Sequence, residues 1–181
     1  MNIQEVTISG FGSFGRPQTF EFKPGFNMIV GPDGCGKTTL IQALLWASGQ
    51  IDHDGSNEDL HFKGAASLKP AGQILVALTI AENGETSPLS RFASKNQSLS
   101  HFRLCEESAP IEQFQDQLPK IRLVQDRKTL LDLAQQTPRG EIFIVDELDR
   151  EITPEDATLF TRSLQHLGEK NQLIVVTHSR T

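Results

Sequence analysis

A glycine-rich segment at residues 31–38, Gly-Pro-Asp-Gly-Cys-Gly-Lys-Thr, has the residue types and spacing that can hold a phosphate group. Its glycines would let successive backbone N–H groups point at phosphate oxygens, and a following helix would add partial positive charge. Lys37 would reach the β- and γ-phosphates, and the hydroxyl of Thr38 would ligate Mg²⁺. An apolar run precedes the segment and a helical pattern follows it, which is the context that such a loop requires. We therefore predict a nucleotide-binding loop, contributed by Gly31, Asp33, Gly34, Cys35, Gly36, Lys37, Thr38 and Thr39.

Two carboxylates, Asp146 and Glu147, directly follow the apolar run Ile142–Val145. In a parallel sheet this order places both at the carboxyl edge of a strand, where α/β proteins bind their ligands. Asp146 would hold Mg²⁺, and Glu147 would orient and deprotonate an attacking water. The pair alone would also suit a solvated acidic turn, but together with a phosphate loop it predicts nucleotide hydrolysis.

Two further polar residues follow apolar strands in the same way. His178 comes after Leu173–Val176 and Thr177, so it would face the same edge and contact the γ-phosphate or support the water. Gln125 follows Ile121–Val124, and its amide would touch Mg²⁺ or the water. A polar loop residue without a role would suit position 125 equally well.

Alternating strands and helices must position these residues. We predict strands at Ile3–Ser9, Thr19–Phe22, Phe26–Val30, Gln73–Ile80, Ser100–Cys105, Ile121–Val124, Ile142–Val145 and Leu173–Val176, and helices at Thr39–Ala47, Ile111–Leu118 and Asp126–Gln136. The continuous run Phe26–Val30 predicts a strand that is buried on both faces. Asn83-Gly84 predicts a hairpin. The residues from Thr153 to Asp156 predict a last helix with Thr153 as its N-cap and Gly168 at its end.

These elements predict one α/β domain over residues 1–181, of the P-loop NTPase kind. A mostly parallel core sheet would be flanked by helices, and a smaller antiparallel lobe would come from the N-terminal strands and Gln73–Cys105. The division into lobes would fall near residue 125, with an N-lobe over about 1–125 and a C-lobe over about 126–181.

The composition excludes several classes of protein. The chain has 17 Lys and Arg against 23 Asp and Glu, a net charge of −6, so it is not a polycationic nucleic-acid binder. Its two cysteines are too few for a disulfide framework or a four-cysteine zinc site. No apolar run approaches the ~20 residues of a membrane span. A signal peptide begins with positive charges, whereas this chain has no Lys or Arg before Arg16. We expect a cytoplasmic protein without a membrane segment.

The motifs together resemble the ATP-binding head of the SMC/RecF-type branch of ABC ATPases, and the matching blocks cover about half of the chain. The first block runs from residues 8–14 through Phe26–Val30 into the phosphate loop, and the second joins residues 143–149 to 174–179. By this resemblance the phosphate loop is the Walker A motif, and the acidic pair 146–147 is Walker B. His178 would then be the switch histidine and Gln125 the Q-loop residue.

The resemblance also implies cofactors and partners. ATP and Mg²⁺ would be bound, and a dimer, with a second copy or with another chain, would form through the ATP face. DNA is implied by the family alone, since the most basic stretch, residues 120–128, is typical of an ordinary charged surface. The absence of the guanine-type motif Asn-Lys-x-Asp favours ATP over GTP.

The sequence departs from this family in three ways. Family heads carry a Leu-Ser-Gly-Gly signature that opens a helix before the acidic strand, and they insert a long coiled coil between the lobes. Here only 21 positions separate Gln125 from Asp146, and the sequence contains no Gly-Gly. The Asp expected soon after the acidic pair is also replaced, near Ile152-Thr153. The chain therefore supplies one half of the shared ATP site that such heads form and lacks the other.

Three functions remain open on the sequence. The leading one is Mg-ATP binding with slow hydrolysis by a compact SMC-like head, with a partner subunit supplying the missing signature. The alternative is a nucleotide-dependent protein-interaction module without significant turnover. A small phosphotransferase ranks last of the three, because the Asp146-Glu147 pair and His178 favour water over another molecule as the phosphate acceptor.

Overall fold

The computed structural model describes residues 1–51, 57–95, 100–105, 107–109, 114, 118–136, 138–146, 148, 153 and 156–178. The strands are β1 (Asn2–Ser9), β2 (Gln18–Glu21), β3 (Phe26–Gly31), β4 (Gln73–Glu82), β5 (Glu85–Ser94), β6 (His101–Leu104), β7 (Glu107–Ala109), β8 (Ile121–Val124), β9 (Ile142–Asp146) and β10 (Gln172–His178). The helices are α1 (Lys37–Ala47), α2 (Arg127–Gln136) and α3 (Ala157–Gly168), with a 3₁₀ turn at Asn57–Leu60. None of these described helices is long and apolar enough to cross a membrane. The helix predicted at Ile111–Leu118 lies almost wholly outside the described residues.

The described strands form two sheets, and the α/β fold predicted from the sequence is confirmed. Four parallel strands lie in the order β3-β10-β9-β8, and six antiparallel strands lie in the order β2-β1-β4-β5-β6-β7. The hairpin predicted at Asn83-Gly84 joins β4 to β5, with φ angles of 52° and 87°. By strand number the antiparallel part is the larger one, whereas the sequence predicted a smaller lobe. The parallel sheet takes β3 and β8 from the predicted N-lobe and β9 and β10 from the predicted C-lobe.

Helix α1 belongs to the larger of two apolar clusters, which joins the two sheets. That cluster contains side chains of α1 together with residues of the antiparallel strands and of β8, β9 and β10. The other cluster combines α2 and α3 with the opposite side chains of the parallel sheet. Consequently Ile142–Val145 of β9 is buried throughout, which explains its uninterrupted apolar sequence. The layers place α1 and its phosphate loop directly beside the parallel sheet.

Strand β3 is not buried on both faces, so that prediction is wrong. It is the outermost strand of the described parallel sheet and pairs only with β10. Phe26, Met28 and Val30 keep 46%, 57% and 54% of their surface exposed. Phe26 and Met28 line an open groove beside Phe160 and Leu164 of α3. A continuous apolar run indicates a parallel strand, but it does not tell an edge strand from a central one.

Helix α3 begins later than the sequence predicts. Its N-cap is Asp156, and Thr153 belongs to the turn before it, where its carbonyl accepts the N–H groups of Asp156 and Ala157 at 3.0 and 3.1 Å. The Asp156 carboxylate makes no capping hydrogen bond, because it binds the side chains of Thr153 and Arg127 instead. Residues 154–155, predicted as the first helical turn, lie outside the described residues.

The side-chain amide of Gln172 joins the two sheets. This buried residue opens β10, and its Oε1 accepts the N–H of Ile3 in β1 at 2.8 Å. Its Nε2 donates to the carbonyls of Ile3 and Lys23 at 2.6 and 3.1 Å. One polar side chain therefore satisfies three backbone groups where the sheets meet.

Replacing Gln172 with leucine is expected to lower the free energy of unfolding by about 2–4 kcal/mol. The apolar side chain would leave the buried N–H and C=O of Ile3 unsatisfied, and each such group costs about 1–3 kcal/mol. Urea unfolding followed by circular dichroism measures the change. Gln165→Leu on the exposed face of α3 is the matched control. Equal stability of the two variants would contradict a structural role for the amide.

Candidate functional site

The carboxyl ends of the parallel strands bring the predicted site positions to one edge of the sheet. In the strand register Gly31 lies level with the backbone of His178, and Asp146 lies level with Val176. Val124 lies level with Val145, so Gln125, which follows β8, is at the same edge beside Asp146. Glu147 lies outside the described residues. The placement agrees with the rule that α/β sheets bind ligands beyond these strand ends.

The phosphate loop turns directly from β3 into α1. Gly36 is the N-cap of α1 with φ 103°, and no side chain caps the helix or places a carboxylate in its first turn. Asp33, Gly34, Cys35 and Thr38 are exposed, and Thr39 is half-buried. The first N–H groups of the helix thus meet no carboxylate from its first turn, which suits a phosphate.

Lys37 crosses the loop rather than extending into solvent. Its side chain is 6% exposed, and Nζ donates to the carbonyl oxygens of Gly31 and Pro32 at 2.8 and 2.9 Å. An ammonium group held over the loop in this way adds a full positive charge to the partial charge of the helix terminus.

A second wall of the loop comes from the turn between β1 and β2, and the sequence did not mark it as part of the site. The hydroxyls of Ser13 and Thr39 lie 3.1 Å apart. A Cβ on Gly36 would lie 3.2 Å from the Phe14 ring, and one on Gly12 would lie 2.4 Å from the Thr39 methyl group. Glycines in this turn were visible in the sequence, but no spacing linked them to a loop so far along the chain.

The residues at this edge fit a magnesium nucleotide. A hydroxyl from Thr38 and a carboxylate from Asp146 are oxygen donors of the kind that Mg²⁺ takes. Among the described residues no three His, Cys, Asp or Glu side chains are grouped to hold a metal by themselves. Proteins commonly bind Mg²⁺ through one or two carboxylates together with substrate phosphates.

Helix α2, which precedes the acidic strand β9, begins with its own carboxylate. Asp126 Oδ1 accepts the N–H of Thr129 at 2.8 Å, and Oδ2 accepts the Thr129 hydroxyl at 2.6 Å. These hydrogen bonds hold the pKa of Asp126 below its usual range, so the group is charged at neutral pH. An anion already sits at this helix terminus, which therefore disfavours a phosphate.

Gly36→Ala is expected to weaken nucleotide binding by about tenfold. A Cβ at φ 103° strains the backbone and presses on Phe14, so the loop must shift at the start of α1. Isothermal titration with ATP and Mg²⁺ measures the change. Gly84→Ala is the matched control, because its φ is also positive but its Cβ would meet nothing within 4 Å. Equal affinities for the two variants would contradict a role for the loop shape.

Comparisons with known proteins point to one family. The model described as AAA domain matches residues 5–173. The chromosome partition protein Smc of Mycolicibacterium paratuberculosis is 36% identical over 93 residues, which are 49% of this chain and 8% of that protein. The match thus spans less than a tenth of the length of this relative.

Solved structures show the same fold. The SMC head domain from Thermotoga maritima has a TM-score of 0.76 at 20% identity, over 99% of this chain and 90% of that one. An SMC ATPase structure described for ATP-driven dimerization and DNA-stimulated activation has a TM-score of 0.57 at 18% identity, over 90% of this chain and 98% of that one. At these identities the likeness concerns the fold.

Proposed function

Because this chain belongs to the AAA domain family and folds as an SMC-type ABC ATPase head, we propose that it binds ATP with Mg²⁺ and slowly hydrolyses the γ-phosphate. The observation that carries the proposal is the phosphate loop, where an uncapped helix terminus and the buried Lys37 face one cradle. Both features attract a polyphosphate. A cytoplasmic location is part of the same proposal.

Each residue at the edge has a distinct task in this proposal. Lys37 and the first N–H groups of α1 bind the phosphates, and Thr38 with Asp146 would hold Mg²⁺. Bound Mg²⁺ would neutralise charge on the β- and γ-phosphates. Glu147 takes a proton from the attacking water, and His178 supports that water or contacts the γ-phosphate. Gln125, level with the position after Val145, contacts the same water or Mg²⁺.

A partner subunit is proposed to complete the site. The helix before the acidic strand starts with Asp126, whose charge disfavours the phosphate of a second nucleotide. A second chain would therefore have to supply the group that closes over the γ-phosphate. The ATP-driven dimerization described for a related SMC ATPase supports association through this face. DNA as a further partner rests on the same relative and on no feature of this surface.

A nucleotide-dependent interaction module is the second candidate. The same carboxylate at the start of α2 favours it, because a chain that cannot close the site on itself gains little catalysis from dimerisation. In that case ATP would stabilise a surface for another protein without significant turnover.

Nucleotide binding and turnover separate these candidates. We would titrate the chain with ATP and with GTP, with and without Mg²⁺, and then measure phosphate release over a wide range of protein concentration. Binding of ATP that Mg²⁺ strengthens, with turnover above background, supports the ATPase. Tight binding with background turnover at every concentration supports the module, and no nucleotide binding would contradict both.

A further inference from the structure

The start of α2 is bound to the start of α3 by a two-pronged ion pair. Arg127 Nη1 donates to Asp156 Oδ2 at 2.5 Å, and Nη2 donates to Oδ1 at 2.6 Å. The hydroxyl of Thr153 donates to Oδ2 at 2.9 Å. The Arg127 hydrogen bonds, followed by the one from Thr153, hold the pKa of Asp156 below its usual range. Paired N–H···O bonds of this geometry fix direction as well as distance.

The pair spans the two connections that leave the site edge of the sheet. The first connection runs from β8 through Gln125 into α2, and the second runs from β9 through Glu147 into α3. Since β8 and β9 are adjacent and parallel, both connections start at the same level. Arg127 opens α2 directly after the first connection, and Asp156 is the N-cap of α3, so the ion pair joins the starts of the two helices.

The apolar packing gives the second connection another anchor. Leu148, the residue after Glu147, is buried in the same cluster as Leu130 of α2 and Val145 of β9. The packing of α2 therefore constrains Leu148, the residue directly after the proposed catalytic Glu147. A shift of α2 relative to α3 would move this anchor together with the Gln125 connection.

We propose that Arg127 and Asp156 are positioning residues that fix the start of α2, and with it Gln125, relative to the start of α3 and the end of β9. The inference rests on the proposed function. Neither residue belongs to the phosphate loop, which binds the nucleotide. Loss of the pair therefore lowers the rate of hydrolysis and the affinity for the metal, while the affinity for metal-free nucleotide is kept. Small displacements of catalytic groups cost up to about a hundredfold in rate, so loss of the pair affects turnover.

The test compares Arg127→Gln and Asp156→Asn with a matched control. Arg122→Gln removes another Arg–carboxylate ion pair, to Glu141, which lies at the amino ends of β8 and β9 and therefore away from the site edge. We expect Arg127→Gln and Asp156→Asn to lower kcat by about tenfold, with the dissociation constant of metal-free ATP, measured in EDTA, changed by less than about twofold. Arg122→Gln leaves both unchanged, and the exchanged pair Arg127→Asp with Asp156→Arg recovers part of the lost rate. A rate that is equal in all variants, or a loss of affinity as large as the loss of rate, would overturn the proposal.

A second readout is independent of turnover. Mn²⁺ serves as a probe for the Mg²⁺ site in the complex with a non-hydrolysable ATP analogue, and its affinity is measured by electron paramagnetic resonance. We expect Arg127→Gln to weaken Mn²⁺ by about tenfold relative to Arg122→Gln. If the natural chain binds the analogue but shows background turnover, proposed hydrolysis fails and the Mn²⁺ comparison alone decides on the pair. Equal Mn²⁺ affinities would then overturn it.

Discussion

Replacing Lys37 with alanine is expected to weaken ATP binding by roughly tenfold to a hundredfold. A hydrogen bond from a charged donor contributes about 1.5–3 kcal/mol, and every 1.4 kcal/mol is a factor of ten in affinity. The Lys37 ammonium is already buried over the loop carbonyls, so little ordering remains to be done when phosphate binds. Titration calorimetry with ATP and Mg²⁺ measures the loss.

The controls for Lys37→Ala must distinguish loss of the positive charge at the phosphate site from loss of the folded structure. Lys63→Ala removes a lysine that is exposed and pairs only at the surface with Asp59, so its affinity should equal that of the natural chain. The Lys37 amine also bonds the loop carbonyls, so thermal unfolding of Lys37→Ala must show that the domain is intact. An intact Lys37→Ala that binds ATP normally would contradict the phosphate site.

Local pattern was sufficient for most of the parallel sheet and for α1 and α2. Ile142–Val145 and Leu173–Val176 are apolar at every position because both faces are covered, and the structure places both in the centre of the sheet. α2 was predicted over Asp126–Gln136 from its amphipathic pattern, and α3 ends at Gly168 as predicted. In each case the element was predictable from residues close together in the sequence, because burial and capping determine the residue types over a few successive positions.

Contacts between distant residues could not be predicted in this way. The exposure of Phe26 and Met28 depends on whether another strand covers β3, and no property of the run itself records that. The N-cap of α3 is Asp156, and its carboxylate binds Arg127 of another helix instead of capping its own. Ser13 lies beside Thr39 because the turn between β1 and β2 packs on the start of α1, and this contact is between residues far apart in the sequence. The predicted site positions therefore lie at one edge of the sheet, and the turn that carries Ser13 was not predicted beside them.

Replacing Glu147 with glutamine is expected to reduce ATP turnover by about a hundredfold to ten-thousandfold and to leave ATP affinity within about twofold of the natural chain. Glutamine keeps the size and hydrogen-bonding capacity of the side chain but cannot take the proton of an attacking water. Glu147 is outside the described residues, and the expectation comes from its place after Asp146 at the end of β9. Phosphate release under single-turnover conditions measures the chemical step directly.

The dependence of turnover on protein concentration shows whether a second copy of the chain or another protein completes the site. If the natural chain closes its site with a second copy, turnover per molecule rises with concentration, and Glu147→Gln abolishes it while still binding ATP. If another protein supplies the missing group, the natural chain and Glu147→Gln are equally slow at every concentration, and only Lys37→Ala loses the nucleotide. A natural chain that turns over rapidly at high dilution would contradict the need for a partner, because the phosphate-disfavouring Asp126 would then be no obstacle. Turnover that survives in Glu147→Gln would instead show that another group accepts the proton.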